Sequence, residues 1–159
     1  MRRSPPLVVL DLNIVVSGLL ADRSGTVSPP ARCLDAVRSG KIRLCLSENM
    51  LARLRQVLAY PRLAFSEEAI DAIVHQIAEW VMQSGRIVDV PPAPSAPLLC
   101  DDPEDDHVLR AALLAAADYL VTGDADLLRR LSAAGAEAVR RTGLKVVTAR
   151  EFVGTAERR

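Results

Sequence analysis

Lysine is nearly missing from this chain. Of its twenty basic residues only Lys41 and Lys145 are lysines, and the rest are arginines. The planar guanidinium fork suits bidentate phosphate contacts, although an arginine-rich genome produces the same bias. Histidine is as scarce, at two residues, and no His or Cys stands at metal-ligand spacing, which argues against a zinc site. Cys33, Cys45 and Cys100 are odd in number and form no CxxC pair, so they read as reduced, buried thiols of a cytoplasmic protein rather than a disulfide framework. No stretch approaches the roughly 20 apolar residues of a membrane span. Met1-Arg2-Arg3 followed by the apolar Leu7 to Leu10 begins like a secretory leader, but Asp11 and Asn13 interrupt it. Internal repeats are absent, and the proline-rich Pro91 to Pro97 is too short to be a low-complexity region.

Half of the 159 residues are hydrophobic and the mean hydropathy is +0.16, enough for a substantial core in one domain of 17.2 kDa. That domain is expected over residues 7–153, after an N-terminal arm of residues 1–6 and before a basic tail of residues 154–159. Leu7-Val8-Val9-Leu10 lacks polar alternation and reads as a central parallel strand buried on both faces. An apolar helix carrying Ile14, Val15, Leu19 and Leu20 follows, then a loop from Asp22 to Ser28. Pro29-Pro30 opens a helix to Arg38 that Gly40 stops. Ile42 to Leu46 is a second strand, and Ser47 caps a helix with Leu51, Leu54, Val57 and Leu58 on one side, ended by Pro61. Ser66-Glu67-Glu68 opens a long amphipathic helix ending at Gly85, with His75 and Trp80 as structural residues, and Ile87 to Val90 is a third strand. Beyond the prolines come a helix from Pro103 to Ala117, a strand at Tyr119 to Thr122, a helix near Leu127 to Ala134 and a strand at Leu144 to Val147. Thr148 to Glu151 has the spacing of a capping box for a last helix. Strands alternating with helices predict a three-layer α/β domain with a largely parallel sheet and right-handed crossovers.

The charge is uneven although the net charge is zero. Residues 86–127 hold 2 basic against 9 acidic residues, a balance of −7, whereas residues 1–85 hold 10 against 8 and residues 128–159 hold 8 against 3. A solvated acidic face is one explanation, and a metal site that receives a polyanion is the other. The acids gather at element ends: Asp11 closes the first strand, Asp101 to Asp106 surround a helix start, and Asp124 and Asp126 follow a strand. Glu104, Asp105 and Asp106 are equally explained as first-turn helix acids, and Asp11 as a helix cap. Against that, the carboxyl ends of strands are where open α/β sheets hold ligands. Clustered carboxylates repel one another unless a cation joins them, and an all-oxygen set suits Mg²⁺ or Mn²⁺. Such a site activates water and stabilises in-line phosphodiester displacement. His107 reads as a surface or helix-start residue.

Four motifs occur in order: Val8-Val9-Leu10-Asp11-Leu12-Asn13, the helix opened by Ser47 and ending in Val57-Leu58 before Pro61, Asp102-Pro103-Glu104-Asp105-Asp106, and Leu120-Val121-Thr122-Gly123-Asp124-Ala125-Asp126-Leu127-Leu128. Together they resemble the PIN-domain family over residues 7–153, and within it the VapC-like toxin components of toxin–antitoxin systems. The resemblance implies a three-layer α/β/α fold on a mainly parallel sheet of about five strands. It also implies Mg²⁺- or Mn²⁺-dependent cleavage of single-stranded RNA or a structured RNA loop, a cognate antitoxin, a homodimer and no membrane contact. By position, Asp11, Asp105 and Asp124 match the family's catalytic and metal-binding acids, and Asp126 an additional metal-binding acid. Asn13, Ser47, Asp102 and Thr122 match supporting positions. Where the family places a metal-site Glu in the Ser47 helix, this chain has Arg53. Glu48 lies five residues earlier, about 140° around the helix, and does not substitute. Arg53 is then a contact for substrate phosphate, or a partner of an acid that weakens metal binding. The alternatives are a catalytically weakened PIN-like module that binds RNA or protein and, further off, a haloacid-dehalogenase-type phosphatase, which needs an Asp where Asn13 stands.

Overall fold

The computed structural model describes residues 4–91, 98–123 and 126–157. Most of the proline-rich connector therefore lies outside the described residues, and so does the expected catalytic Asp124. Within them a five-stranded, all-parallel sheet is flanked by helices on both faces, a three-layer α/β/α fold. The chain runs through β1 (Leu7–Leu10), α1 (Leu12–Ser24), α2 (Pro29–Arg38), β2 (Arg43–Ser47), α3 (Glu48–Leu58), α4 (Glu67–Gln83) and β3 (Arg86–Val88). It continues through α5 (Pro103–Leu114), β4 (Tyr119–Val121), α6 (Ala133–Thr142), β5 (Lys145–Val147) and α7 (Ala149–Glu157).

Strand order is β3-β2-β1-β4-β5. The apolar runs explain it: all four β1 residues and all three of β4 are buried, as central strands must be, whereas β3 and β5 are partly exposed edges. The chain steps from β1 outward through β2 to β3, then returns across β1 to β4 and β5. With right-handed crossovers this reversal puts α1 to α4 on one face and α5 and α6 on the other, in keeping with α1 packing on α2 and α3, and α5 on α6. The reversal of strand order lies between β1 and β4, where doubly wound sheets open a crevice at their carboxyl ends. Asp11 and Thr122 stand there.

Local chemistry places the helix starts. Ser28, Ser47, Ser66, Asp102 and Ser132 each accept a backbone N–H of the first turn of α2, α3, α4, α5 and α6. Thr148 accepts the Glu151 N–H at 3.2 Å and bonds the Glu151 carboxylate, so the capping pair forms. Boundaries shift in several places. The first helix runs to Ser24, inside the expected loop, and stops at Gly25 with φ 70°. α5 ends at Leu114, three residues early, and β3 is Arg86–Val88 rather than Ile87 to Val90.

The expected helix near Leu127 to Ala134 does not exist as one unit. A 3-10 turn (Leu127–Arg130) is followed by extended Leu131, which bridges Cys100, and Ser132 then starts α6. Leu127 and Leu128 supplied an apolar pattern, while α6, AAGAEAVRRT, carries Val139 as its one sizeable apolar residue and leaves no periodic stripe.

Candidate active site

Parallel strands bring their carboxyl ends to one edge, and here these ends are polar: Asp11 after β1, Ser47 ending β2, Thr122 after β4 and Thr148 after β5. The Asp11 N–H bonds the Val121 carbonyl at 2.9 Å, which extends the ladder by one step and fixes Asp11 beside Thr122. Asp11 precedes α1, yet its carboxylate makes no capping hydrogen bond. Instead, the buried Thr122 hydroxyl donates to Asp11 Oδ2 at 3.2 Å. Burial pushes the Asp11 carboxyl above its ordinary range, the Thr122 hydroxyl pulls it down, the negative charge of Asp105 pushes it up again, and the N–H dipoles of Leu12 and Asn13 oppose this. Two carboxyls thus share one crevice from opposite layers.

Asp105 reaches it from α5. Asp102 caps that helix by accepting the Glu104 N–H at 2.8 Å and the Asp105 N–H at 3.4 Å, and Pro103 occupies the first helical position. Successive acids of this turn then diverge. Asp105 points into the cleft, whereas Asp106 is 2% exposed and structural: it accepts the Leu99 and Cys100 N–H groups and pairs with Arg110 at 2.7 Å.

The cleft holds about 500 Å³ between α3, the start of α1 and α5. Asp11, Asn13, Glu104 and Asp105 line it together with Asn49, Arg53 and Gln56 of α3, and Leu12, Met50, Val57 and Val108 supply apolar surface. Arg53 lies 3.6 Å from Glu104 across the mouth and 3.4 Å from Gln56 along its own helix. Ser47 is fully buried below the cleft; its oxygen accepts the Met50 N–H and lies 2.9 Å from His107 Nε2. His107, in the early turns of α5, is half-buried and lines the cleft, so of its two readings helix-start holds and surface does not; burial lowers its pKa despite the nearby Asp106.

The structure therefore brings Asp11, Asn13, Arg53 and Asp105 around one cavity, with Thr122 holding Asp11. Asp102 is exposed and caps α5. Asp126 is exposed at the start of the 3-10 turn, 3.7 Å from Arg129, and is not among the residues lining the cleft. Among the described residues no group of three or more acidic, His or Cys residues converges to hold a metal ion. Asp11 and Asp105 themselves offer oxygen donors, and a divalent cation held by them would relieve both the burial and the repulsion, which is chemistry that fits Mg²⁺ or Mn²⁺.

Arg130 was not foreseen. Its guanidinium meets Asp105 Oδ2 at 2.6 Å and Asp101 at 3.4 Å, while its carbonyl accepts the Asp101 N–H. The pairing spans 25 residues, and a basic residue that far from the acid gives no local signal in the sequence. A family model of the PIN domain matches residues 7–126, from the start of β1 to the turn after β4. The chain belongs to the PIN-domain family. PIN domains are a nuclease-type fold, in general acting on nucleic acids with divalent metals. No match to a curated protein was found. The matched region of this PIN domain contains every residue expected at the site, and Arg130 lies just beyond it.

Proposed function

We propose that this PIN domain is a divalent-metal-dependent endoribonuclease that hydrolyses phosphodiester bonds of single-stranded RNA or of the loops of structured RNA. We propose further that it acts in the cytoplasm as the toxin of a toxin–antitoxin pair. The observation that carries the nuclease reading is the half-buried Asp11 carboxyl at the reversal of the sheet, held by Thr122, lining one cleft with Asp105 and feeling its charge.

In this reading Asp11, Asp105 and Asp124, with Asp126, hold Mg²⁺ or Mn²⁺. When bound, the metal supplies an activated water and neutralises charge developing on the phosphodiester. Thr122 fixes the carboxylate of Asp11, Asn13 offers an amide at the mouth, and Ser47 and Asp102 secure the helices that carry the two walls. Arg53 lines the cleft and is placed to contact the substrate, its phosphate or the base beside it. An antitoxin segment laid over the cleft would cover these residues together, and the α3–α4 pair, which packs as a hairpin, is the surface proposed for a homodimer.

A specific observation supports a second reading, a weakened module that binds RNA or protein: no α3 residue lining the cleft is acidic, and Arg53 stands where the family has Glu. Cleavage of a mixed single-stranded RNA pool with Mn²⁺, Mg²⁺ or EDTA separates the two. Metal-dependent cleavage that falls about a hundredfold or more in Asp11→Asn is the expected result. Full activity of Asp11→Asn would sink the site assignment. Silence of the native chain with cleavage gained in Arg53→Glu would establish the binding module.

A further inference from the structure

The α3 wall is chemically unlike the rest of the cleft. Asn49, Arg53 and Gln56 are spaced four and three residues apart, which puts them on one stripe of the helix, and all three are exposed towards the cavity they line. The carboxylates of Asp11, Glu104 and Asp105 line the same cleft, so a phosphodiester engaged by them leaves its flanking nucleotide within reach of α3. The wall carries no acid and adds no negative charge to a metal site. It offers paired donors and acceptors instead: two neutral carboxamides and one guanidinium. Behind them Met50 and Val57 form an apolar floor, and Val108 faces them from α5. No Phe, Tyr or Trp lines the cleft, and its one ring, His107, is hydrogen-bonded to Ser47, so a base seated there is gripped mainly by aliphatic contact and identified by hydrogen bonds.

We infer that Asn49, Arg53 and Gln56 form a base-reading wall that takes an unpaired purine next to the cleaved phosphodiester. The inference rests on the nuclease reading for its substrate class. Purines are singled out because a carboxamide pairs in bidentate fashion with the N6/N7 edge of adenine and a guanidinium with the O6/N7 edge of guanine. Pyrimidines lack N7 and present one bidentate edge, the Watson–Crick edge, whereas a purine presents two to the three side chains. Single strands present these edges freely, whereas a duplex hides them in a deep major groove that side chains do not enter. Arg53, within reach of both Gln56 and Glu104, is already oriented across the mouth where the edge of the base would lie.

The test is the cut-site profile of the full chain on a randomised single-stranded RNA with Mn²⁺, beside Asn49→Ala, Gln56→Ala and the double variant. Exposed helical amides tolerate alanine without loss of the fold, and circular dichroism checks this. A purine preference of about tenfold at one position flanking the cut, falling to about twofold in the double variant, is expected. Cleavage without base preference, or a preference the double variant retains, overturns the inference and leaves the nuclease reading intact. If the native chain cuts no RNA, the nuclease reading fails. Fluorescence anisotropy with short adenine, guanine, uracil and cytosine homopolymers in EDTA then decides the wall on its own. Purine-selective binding that the double variant loses supports it. Equal binding of all four, or binding of none, overturns it.

Discussion

Asp105 has two suitors, a guanidinium already present and a metal that the acids are suited to hold. The Arg130–Asp105 contact, at 2.6 Å with side chains 29% and 19% exposed, is partly shielded from solvent, and so is screened less than a surface pair. Arg130 offsets the charge of Asp105 and Asp101, and under the proposed function it would compete with the cation for the same oxygens. Arg130→Gln is therefore expected to tighten Mn²⁺ binding roughly tenfold, about 1.4 kcal/mol, and to lower the melting temperature of the metal-free protein; titration calorimetry and melts in EDTA measure the two. Unchanged or weaker Mn²⁺ affinity would show that the ion pair does not compete. Asp11 makes a second residue-scale prediction. Its folded pKa is raised above the unfolded value, so the native state holds the proton more tightly than the unfolded chain, and stability contributed by the protonated form is lost as pH rises through the raised pKa. In EDTA, Asp11→Asn should match the native chain in acid and exceed it in melting temperature towards neutral pH. A gap independent of pH would contradict the burial of this carboxyl.

At the scale of elements, the segment entering α5 decides where two acids point. Leu99 and Cys100 donate to Asp106, Cys100 bridges Leu131, and the Leu99 carbonyl accepts the Ser132 N–H at 2.9 Å. Helix α6 completes this clasp because Gly135 has no side chain: a Cβ there would come within 2.2 Å of the Leu99 carbonyl oxygen. Backbone cannot yield as a side chain does, so Gly135→Ala should cost about 2 kcal/mol or more and loosen the Arg130–Asp105 pairing. Urea denaturation measures the first effect, and amide exchange at Leu99 to Asp101 the second. Full retention of both would mean that α6 adjusts without disturbing the clasp. The sequence hides this arrangement for a physical reason. Gly135 reads as a weak point in a helix, and its close contact is with a carbonyl 36 residues away.

For the whole molecule, the sheet and its two helical layers enclose the thiols. Cys33, Cys45 and Cys100 are free and at most 1% exposed, and burial raises the thiols of Cys33 and Cys45 to about 11. Neither of these two thiols is reactive near neutral pH, since the thiolate is the nucleophile. Alkylation by iodoacetamide at mildly alkaline pH should proceed only through opening of the core, at a rate that tracks global stability across urea concentrations. Rapid labelling of Cys33 or Cys45 without denaturant would contradict the buried core. The fold also determines how the uneven charge is displayed: Arg53 lines the cleft from α3 beside Glu104, and Arg130, from beyond β4, pairs with Asp105, so each places a positive charge beside an acid of the cleft.

By itself the sequence determined the parts whose causes are local. The unbroken apolar runs of β1 and β4 dictated central strands, the Ser and Asp caps dictated helix starts, and the order of Asp11, Asp102 to Asp106 and Thr122-Gly123 identified the family. These signals sit within a few residues of what they specify. Tertiary structure alone decided which acids share a cavity. It turned Asp105 inward and Asp106 into a scaffold, left Asp126 outside the cleft lining, drew His107 under it and set Arg130 on Asp105. The Arg130–Asp105 and Ser47–His107 contacts join groups 25 and 60 residues apart, and Asp105 and Asp106 part on a single 100° step around a helix; neither leaves a periodic trace in the chain.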